Sequence, residues 1–284
     1  MDLSGQPHTA LFLVVPRLGL RELLSVAQVC VSLRDAVDKD VLPWLDIMVG
    51  DILCRRLSGE MLLKLTAKAE GKVRSLGLSN CIKISEEALL AVVIGNPNIE
   101  TLNLTGCTGL TPEGVIKVAE ALSKQGSGLR CLKIDGIYDL HEGHLQTLKS
   151  LVRQEGKGNQ GIDVDVCPRC HAVRKVFSCR RETCKRKGEN RGKECIGCAF
   201  CIPRCVECGG CVETEEADEA EAACPDVLCL GCWSKLTKCI FCNRPYCWRH
   251  SEQQQCYSPL LRGQSGFVCE FCDSSFHDED DDFV

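Results

Sequence analysis

Val73-Arg74-Ser75-Leu76-Gly77-Leu78-Ser79-Asn80-Cys81 is the phrase that decides the fold, because the chain states it three times. The second copy is Ile99-Glu100-Thr101-Leu102-Asn103-Leu104-Thr105-Gly106-Cys107, and the third is Leu129-Arg130-Cys131-Leu132-Lys133-Ile134-Asp135-Gly136-Ile137. Leu76 and Leu102 stand 26 residues apart, and Leu102 and Leu132 stand 30 apart. In each copy two aliphatic residues flank a small or polar one, which suits a short strand with one buried face. A helix start follows each copy: Ser85-Glu86-Glu87, Thr111-Pro112-Glu113, and Asp139 with Glu142. Ser, Thr and Asp oxygens accept from the free N–H groups of a first helical turn, and proline fits there because its missing N–H would have had no partner.

A strand, a turn and a helix recurring at this period make a leucine-rich repeat. One unit cannot bury its apolar face alone, so neighbours must stack, and three units are near the minimum. Cys81 and Cys107 fall at the turn and are expected in the core as thiols, not as metal ligands. Residues 54–70 are expected to cap the stack on its N-terminal side.

Upstream of the repeats, residues 8–50 read as short helices. Leu11, Val14, Val15 and Leu18 share one apolar face, and Pro16 prevents a single long helix. Val26, Val29, Cys30, Leu33 and Val37 follow at helical spacing, and Leu42-Pro43-Trp44-Leu45 closes the unit.

Downstream, Gly156-Lys157-Gly158-Asn159-Gln160-Gly161 reads as a flexible linker, and beyond it the composition changes. Of 24 cysteines in 284 residues, five lie in 1–160 and nineteen in 161–284. No run approaches the ~18 apolar residues of a membrane-crossing helix. Asp2 stands where a secretory signal would carry basic residues. The cysteines are therefore expected in a reducing compartment, the nucleus and/or the cytoplasm, where clustered spacing points to metal rather than to disulfides.

The candidate metal ligands are Cys167, Cys170, Cys179, Cys184, Cys195, Cys198, Cys201, Cys205, Cys208, Cys211, Cys224, Cys229, Cys232, Cys239, Cys242, Cys247, His250, Cys269 and Cys272. Most fall in pairs separated by two residues, a gap that lets one tight turn aim two thiolates at an ion about 2.3 Å away. The best single arrangement joins Cys205/Cys208 to Cys229/Cys232, and Cys167/Cys170 with Cys195/Cys198 is similar. Cys239, Cys242, Cys247 and His250 form a compact site of their own or share with Cys269/Cys272. With His171 and His277 counted, the ligands suffice for at most five tetrahedral sites, and about four structural Zn2+ ions are expected. Neither a His-Glu-x-x-His motif nor the His-x-Glu half of a deaminase site occurs, so the sites read as closed and structural, not catalytic. The RING centre Cys-x-His-x2-Cys-x2-Cys is also missing, although a RING-like cross-brace without it stays open.

Net charge is −5, and the whole deficit lies in residues 161–284. That balance is not the one of a general DNA or RNA binder and argues against nucleic acid as a partner. The local exception is Arg174 to Lys193, with nine basic residues, read as a solvated loop or import patch ahead of a phosphate-binding surface. Glu213 to Glu221 and the acidic tail at 276–284 read as solvated. Trp233 and Trp248 are expected to pack the small cores.

The order of residues adds a resemblance. Val15-Pro16-Arg17-Leu18-Gly19-Leu20-Arg21-Glu22-Leu23-Leu24, Ala27 through Asp35, and Leu42-Pro43-Trp44-Leu45 resemble an F-box. The usual opening Leu-Pro-x-Glu is reduced here to Gln6-Pro7-His8-Thr9. With the phrase Cys107-Thr108-Gly109-Leu110-Thr111-Pro112-Glu113-Gly114-Val115 and the segment Ile202 to Cys247, most of the chain resembles the plant Skp-interacting F-box proteins. The resemblance implies docking on a Skp-type adaptor through Pro7, Leu11, Val14, Leu18, Leu20, Leu24, Val29 and Leu33, and through that adaptor on a cullin. It implies a non-catalytic substrate receptor of an SCF ubiquitin ligase, holding an unknown target protein on the repeats and/or the zinc module, with no membrane partner. The expected fold is a multidomain α+β chain. Residues 7–50 make a helical F-box, 51–155 an α/β leucine-rich-repeat stack with its cap, and 156–163 a linker. Residues 164–275 make a small zinc-stabilised module, and 276–284 an acidic tail. The alternatives are a zinc module that acts as a RING-like ligase itself, or a nucleic-acid or chromatin-associated protein.

Overall fold

A computed structural model describes residues 9–126, 128–153, 161–181, 184, 195–255 and 267–277. The chain divides into two compact units, 1–166 with 171–175, and 167–170 with 176–284. None of the helices is long and apolar enough to cross a membrane among the described residues.

The first unit carries a parallel sheet whose strands follow sequence order: β1 (Asp46–Met48), β2 (Ser75–Gly77), β3 (Thr101–Asn103) and β4 (Cys131–Lys133). The three repeated phrases supply β2, β3 and β4, with Leu76 opposite Leu102 and Leu102 opposite Leu132. All three leucines are fully buried. β1 is not a copy of the phrase, yet its buried Ile47 pairs with Leu76 and extends the same row. The stretch that ends the N-terminal helical segment thus also begins the sheet.

Helices alternate with these strands: α4 (Asp51–Cys54) and α5 (Gly59–Ala67), then α6 (Glu86–Gly95), α7 (Pro112–Lys124) and α8 (Glu142–Leu151). Ser58, Ser85 and Thr111 hydroxyls accept from the N–H groups of Met61, Ala88 and Gly114 at 3.3, 3.3 and 3.1 Å. The last helix departs from expectation. Asp139 sits in the left-handed turn before it, and the cap is His141, whose N–H donates to His144 Nδ1 at 3.3 Å.

The turn after each strand needs left-handed backbone, with φ of 58° at Asn80, 69° at Gly106 and 87° at Gly136. Asn tolerates that region and Gly prefers it. A Cβ on Gly106 would also collide with the Asn80 side chain of the previous turn. Gly106→Val is expected to lower stability by about 1–3 kcal/mol for the backbone alone, and Leu102→Ala by about 2–5 kcal/mol through the cavity it leaves. Urea unfolding followed by far-UV circular dichroism reads both.

Cys81 and Cys107 lie in this core. Burial pushes the Cys81 thiol up to about 12 and the Cys107 thiol up to about 11, so both stay neutral at pH 7. Cys107 Sγ donates to the Leu78 carbonyl at 2.8 Å, which satisfies its one polar hydrogen.

Ahead of the sheet come α1 (Thr9–Val14), a 3-10 turn at Val15–Arg17 that contains Pro16, α2 (Leu20–Val26) and α3 (Val31–Lys39). Trp44 is wholly buried, with Nε1–H donating to the Val37 carbonyl at 2.8 Å. Lys68 Nζ stands 4.6 Å from its ring and 2.6 Å from Asp38. These contacts join the helical segment to the end of α5, so residues 9–153 share one apolar core.

The expected linker, 156–163, divides. Residues 154–160 lie outside the described residues, whereas 161–163 run beside β4. Leu132 N–H donates to the Gly161 carbonyl at 2.6 Å, and Ile134 N–H to Asp163 Oδ1 at 2.7 Å. An edge strand leaves donors unpaired, and this segment covers them. A hairpin of β5 (Asp165–Val166) and β6 (Val173–Arg174) completes the first unit.

The second unit has little regular structure. β7 (Val176–Ser178) pairs antiparallel with β8 (Ile196–Cys198), and among the described residues the α-helices α9 (Thr214–Glu219), α10 (Leu230–Trp233) and α11 (Glu270–His277) follow, with a 3-10 helix at Trp248–Gln255. Its two apolar clusters are small and built largely from cysteines, including Cys205, Cys229 and Cys247 in one and Cys239 and Cys269 in the other. The acidic stretch is not merely solvated. Glu216 of α9 accepts from Arg181 at 2.9 and 3.1 Å and from the Leu230 N–H at 3.1 Å. Trp233 packs as expected, but Trp248 is 59% exposed.

Candidate functional site

All nineteen candidate ligands come together in five groups, each bringing four ligand atoms within 4.8 Å of one another. Four groups are all cysteine. They are Cys167/Cys170/Cys198/Cys201, Cys179/Cys184/Cys195/Cys211, Cys205/Cys208/Cys229/Cys232 and Cys239/Cys242/Cys269/Cys272. The fifth is Cys224/Asp226/Cys247/His250.

The pairing agrees with the expected spacing at Cys205/Cys208 and, in one of the two forms left open, at Cys239/Cys242, and departs from it at Cys167/Cys170. Cys205/Cys208 does meet Cys229/Cys232. Cys167/Cys170 meets Cys198/Cys201, not Cys195/Cys198, because β8 carries Cys198 forward while Cys195 turns to Cys179, Cys184 and Cys211. Cys239/Cys242 shares with Cys269/Cys272, which leaves Cys247 and His250 to another group. Asp226 was not anticipated. Its only signal is the compact Cys224-Pro225-Asp226, which repeats no ligand pair found elsewhere in the chain.

The spacing within the groups fits a tetrahedral ion. Sulfurs held about 2.3 Å from one centre lie about 3.8 Å from each other, whereas a disulfide brings them to about 2.05 Å. Here the separations are 4.0 Å for Cys167–Cys201, 3.8 Å for Cys170–Cys198, 3.6 Å for Cys184–Cys211, 3.8 Å for Cys208–Cys229 and 3.6 Å for Cys242–Cys269. No thiol of these groups is in a disulfide.

Backbone N–H groups are aimed at one sulfur in each of three groups: Cys198 N at Cys167 Sγ (3.4 Å), Cys211 N at Cys179 Sγ (3.5 Å) and Cys269 N at Cys239 Sγ (3.4 Å). Burial opposes ionisation of these sulfurs, but the N–H donors outweigh it, holding Cys167 and Cys179 at about 6 and Cys239 at about 7. Hydrogen bonding with Cys170, then burial, pushes Cys201 up to about 12. Each of these groups presents a ready thiolate beside thiols that need a cation before they too ionise. Such groups are able to hold a metal ion, and four sulfurs leave it no open position.

The ligand segments interleave. Cys224 and Asp226 lie between Cys208 and Cys229, and Cys247 and His250 lie between Cys242 and Cys269. Each group therefore ties the chain around its neighbour.

The expected docking residues scatter in exposure. Leu20 and Leu33 are 7% and 6% exposed and have little area to offer a partner. Leu18 and Leu24 are half-buried against the core. Leu11, Val14 and Val29 are exposed, and Pro7 lies outside the described residues. Exposed apolar residues of this segment outside the expected docking set include Leu13, Val31, Leu42 and Met48. Most of the basic run 174–193 also lies outside the described residues.

Residues 163–241 match the family described as the At3g27290 F-box protein C-terminal domain. F-box protein SKIP28 of Arabidopsis thaliana is 39% identical over 269 residues, covering 93% of this chain and 89% of its own. The chain belongs to the plant F-box proteins. This F-box protein is also 30% identical to F-box protein SKIP14 and 32% identical to F-box protein At3g27290, both of Arabidopsis thaliana. Each of those matches covers 79% of this chain, but only 54% of SKIP14 and 65% of At3g27290. The family segment holds every ligand of the first three all-cysteine groups and stops before Cys242, Cys247, His250, Cys269 and Cys272.

Proposed function

We propose that this F-box protein is a substrate receptor of an SCF-type ubiquitin ligase. The observation that carries the reading is the exposed apolar set Leu11, Leu13, Val14, Val29, Val31 and Leu42 at the N-terminal end of a chain that shares 39% identity with an F-box protein. Contiguous exposed apolar surface marks a protein interface, and this reading takes the set as one such surface. Its occupant in this reading is a Skp-type adaptor, and through it a cullin.

The strand–helix stack is a leucine-rich repeat, and the four all-cysteine groups hold structural Zn2+. Together they display a target protein to a conjugating enzyme brought by other subunits, so the chain supplies proximity and no chemistry. The protein works in the nucleus and/or the cytoplasm, where its thiols stay reduced. Mixing the full chain with purified adaptor and cullin tests the role. One co-eluting assembly on size exclusion supports it, and separate elution of the chain contradicts it.

The interleaving of the Cys205–Cys232 ligands with the Cys224–His250 ligands favours a second reading, a RING-like module that recruits the conjugating enzyme itself. Ubiquitin transfer by the full chain without cullin would support that reading instead.

A further inference from the structure

We infer that Cys224, Asp226, Cys247 and His250 form an exchangeable site for a fifth zinc-class divalent ion. The inference rests on the zinc reading of the all-cysteine groups and goes beyond it, because it assigns a new ligand, Asp226, and a different lifetime to the bound ion.

Three side chains converge on one point. Cys247 Sγ is 3.1 Å from Asp226 Oδ2 and 3.2 Å from His250 Nδ1, and His250 Nδ1 is 3.4 Å from the same carboxylate oxygen. The sulfur of Cys224 lies within 4.8 Å of these atoms. Two thiolates, one imidazole and one carboxylate are all zinc ligands, and their number completes a tetrahedron. His250 reaches the centre with Nδ1, and the turn Cys247–His250 brings both ligands to one side: His250 N–H donates to the Cys247 carbonyl at 3.0 Å.

The site is built to hold its ion more loosely than the other four. A carboxylate oxygen is a harder donor than a thiolate, and zinc in a sulfur-rich site is bound less firmly when one corner is oxygen. Water replaces such a corner more easily. The side chains of Asp226 and His250 keep 25% and 28% of their exposure, whereas Cys247 is fully buried. A cleft bordered by Tyr246, Glu270 and Phe271 opens onto Cys224 and His250 and gives solvent a path to the ion. The ion can leave without opening either neighbouring all-cysteine group, since it shares no ligand with them.

The test uses the full chain loaded with Zn2+, ion counting by native mass spectrometry, and release to an excess of a coloured chelator. Five ions are expected, with one leaving at least about tenfold faster than the rest, the scale on which ligand surroundings change metal affinity. Asp226→Ala should hold four ions and lose the fast phase at unchanged far-UV circular dichroism. Asp226→Cys should keep five and slow the first ion into the main phase, and this variant decides the matter should Asp226→Ala fail to fold. Four ions in the wild type, or a release profile that Asp226→Cys leaves unaltered, would overturn the site while sparing the all-cysteine groups. No ions at all would overturn the zinc reading itself.

Discussion

Cys229→Ser is expected to unfold the second unit at 25 °C and to leave the first folded. Cys229 is buried, contributes to the Cys205/Cys208/Cys229/Cys232 group, and packs in the apolar cluster with Cys205, Val212, Leu228 and Cys247. That cluster is too small to hold the unit by hydrophobic burial, so on the proposed zinc reading metal binding supplies most of the folding free energy. Structural zinc contributes about 10–16 kcal/mol in small domains, while a whole domain is stable by only about 5–15 kcal/mol. Loss of one thiolate removes enough of that term to leave the unit unfolded. Limited proteolysis checks it: fragments covering 195–255 should vanish in the variant, and a fragment covering 9–153 should persist. A strong zinc chelator should do the same to the wild type. Cys107→Ala serves as contrast. It empties a core position of the first unit and should cost stability there without changing the metal count. Retained protection of 195–255 in Cys229→Ser would contradict the role given to the metal.

The second large effect concerns the adaptor. Leu13 and Val29 are 80% and 72% exposed, so charging them alters the surface and leaves the core intact. Buried interface anchors are worth about 2 kcal/mol or more each, and a desolvated aspartate adds to that cost. The Leu13→Asp, Val29→Asp double variant is therefore expected to weaken adaptor binding by at least about a hundredfold, with an unchanged melting temperature. Leu20→Asp would lose binding too, but for the wrong reason, because Leu20 is buried in the core.

Much of the first unit was legible because its signals are local and repeated. Three copies of one phrase fixed the register of β2 to β4, and hydroxyl caps announced α6 and α7. β1 was missed because Asp46-Ile47-Met48 resembles no repeat and becomes a strand only through pairing with Ser75-Leu76-Gly77. The His141 cap was missed because histidine is not among the residues that ordinarily cap helices.

In the second unit, which cysteines gather was plain from their spacing, but which pairs with which was not. A two-residue gap joins Cys195 to Cys198 and Cys198 to Cys201 alike, and only the course of β8 separates them. Asp226 had no partner at ligand spacing except Cys224, so it reads as one more surface carboxylate until the fold brings Cys247 beside it. Exposure was equally hidden: Leu20 and Val29 both stand among the expected docking residues, and only packing turns one inward and the other out.

The central claim is that the N-terminal helical segment docks on a Skp-type adaptor. Isothermal titration of the full chain with a purified adaptor, in parallel with the Leu13→Asp, Val29→Asp variant, tests it most directly. Saturable one-to-one binding by the wild type that disappears in the folded variant is the predicted result. No binding by the wild type, or equal binding by both, would contradict it.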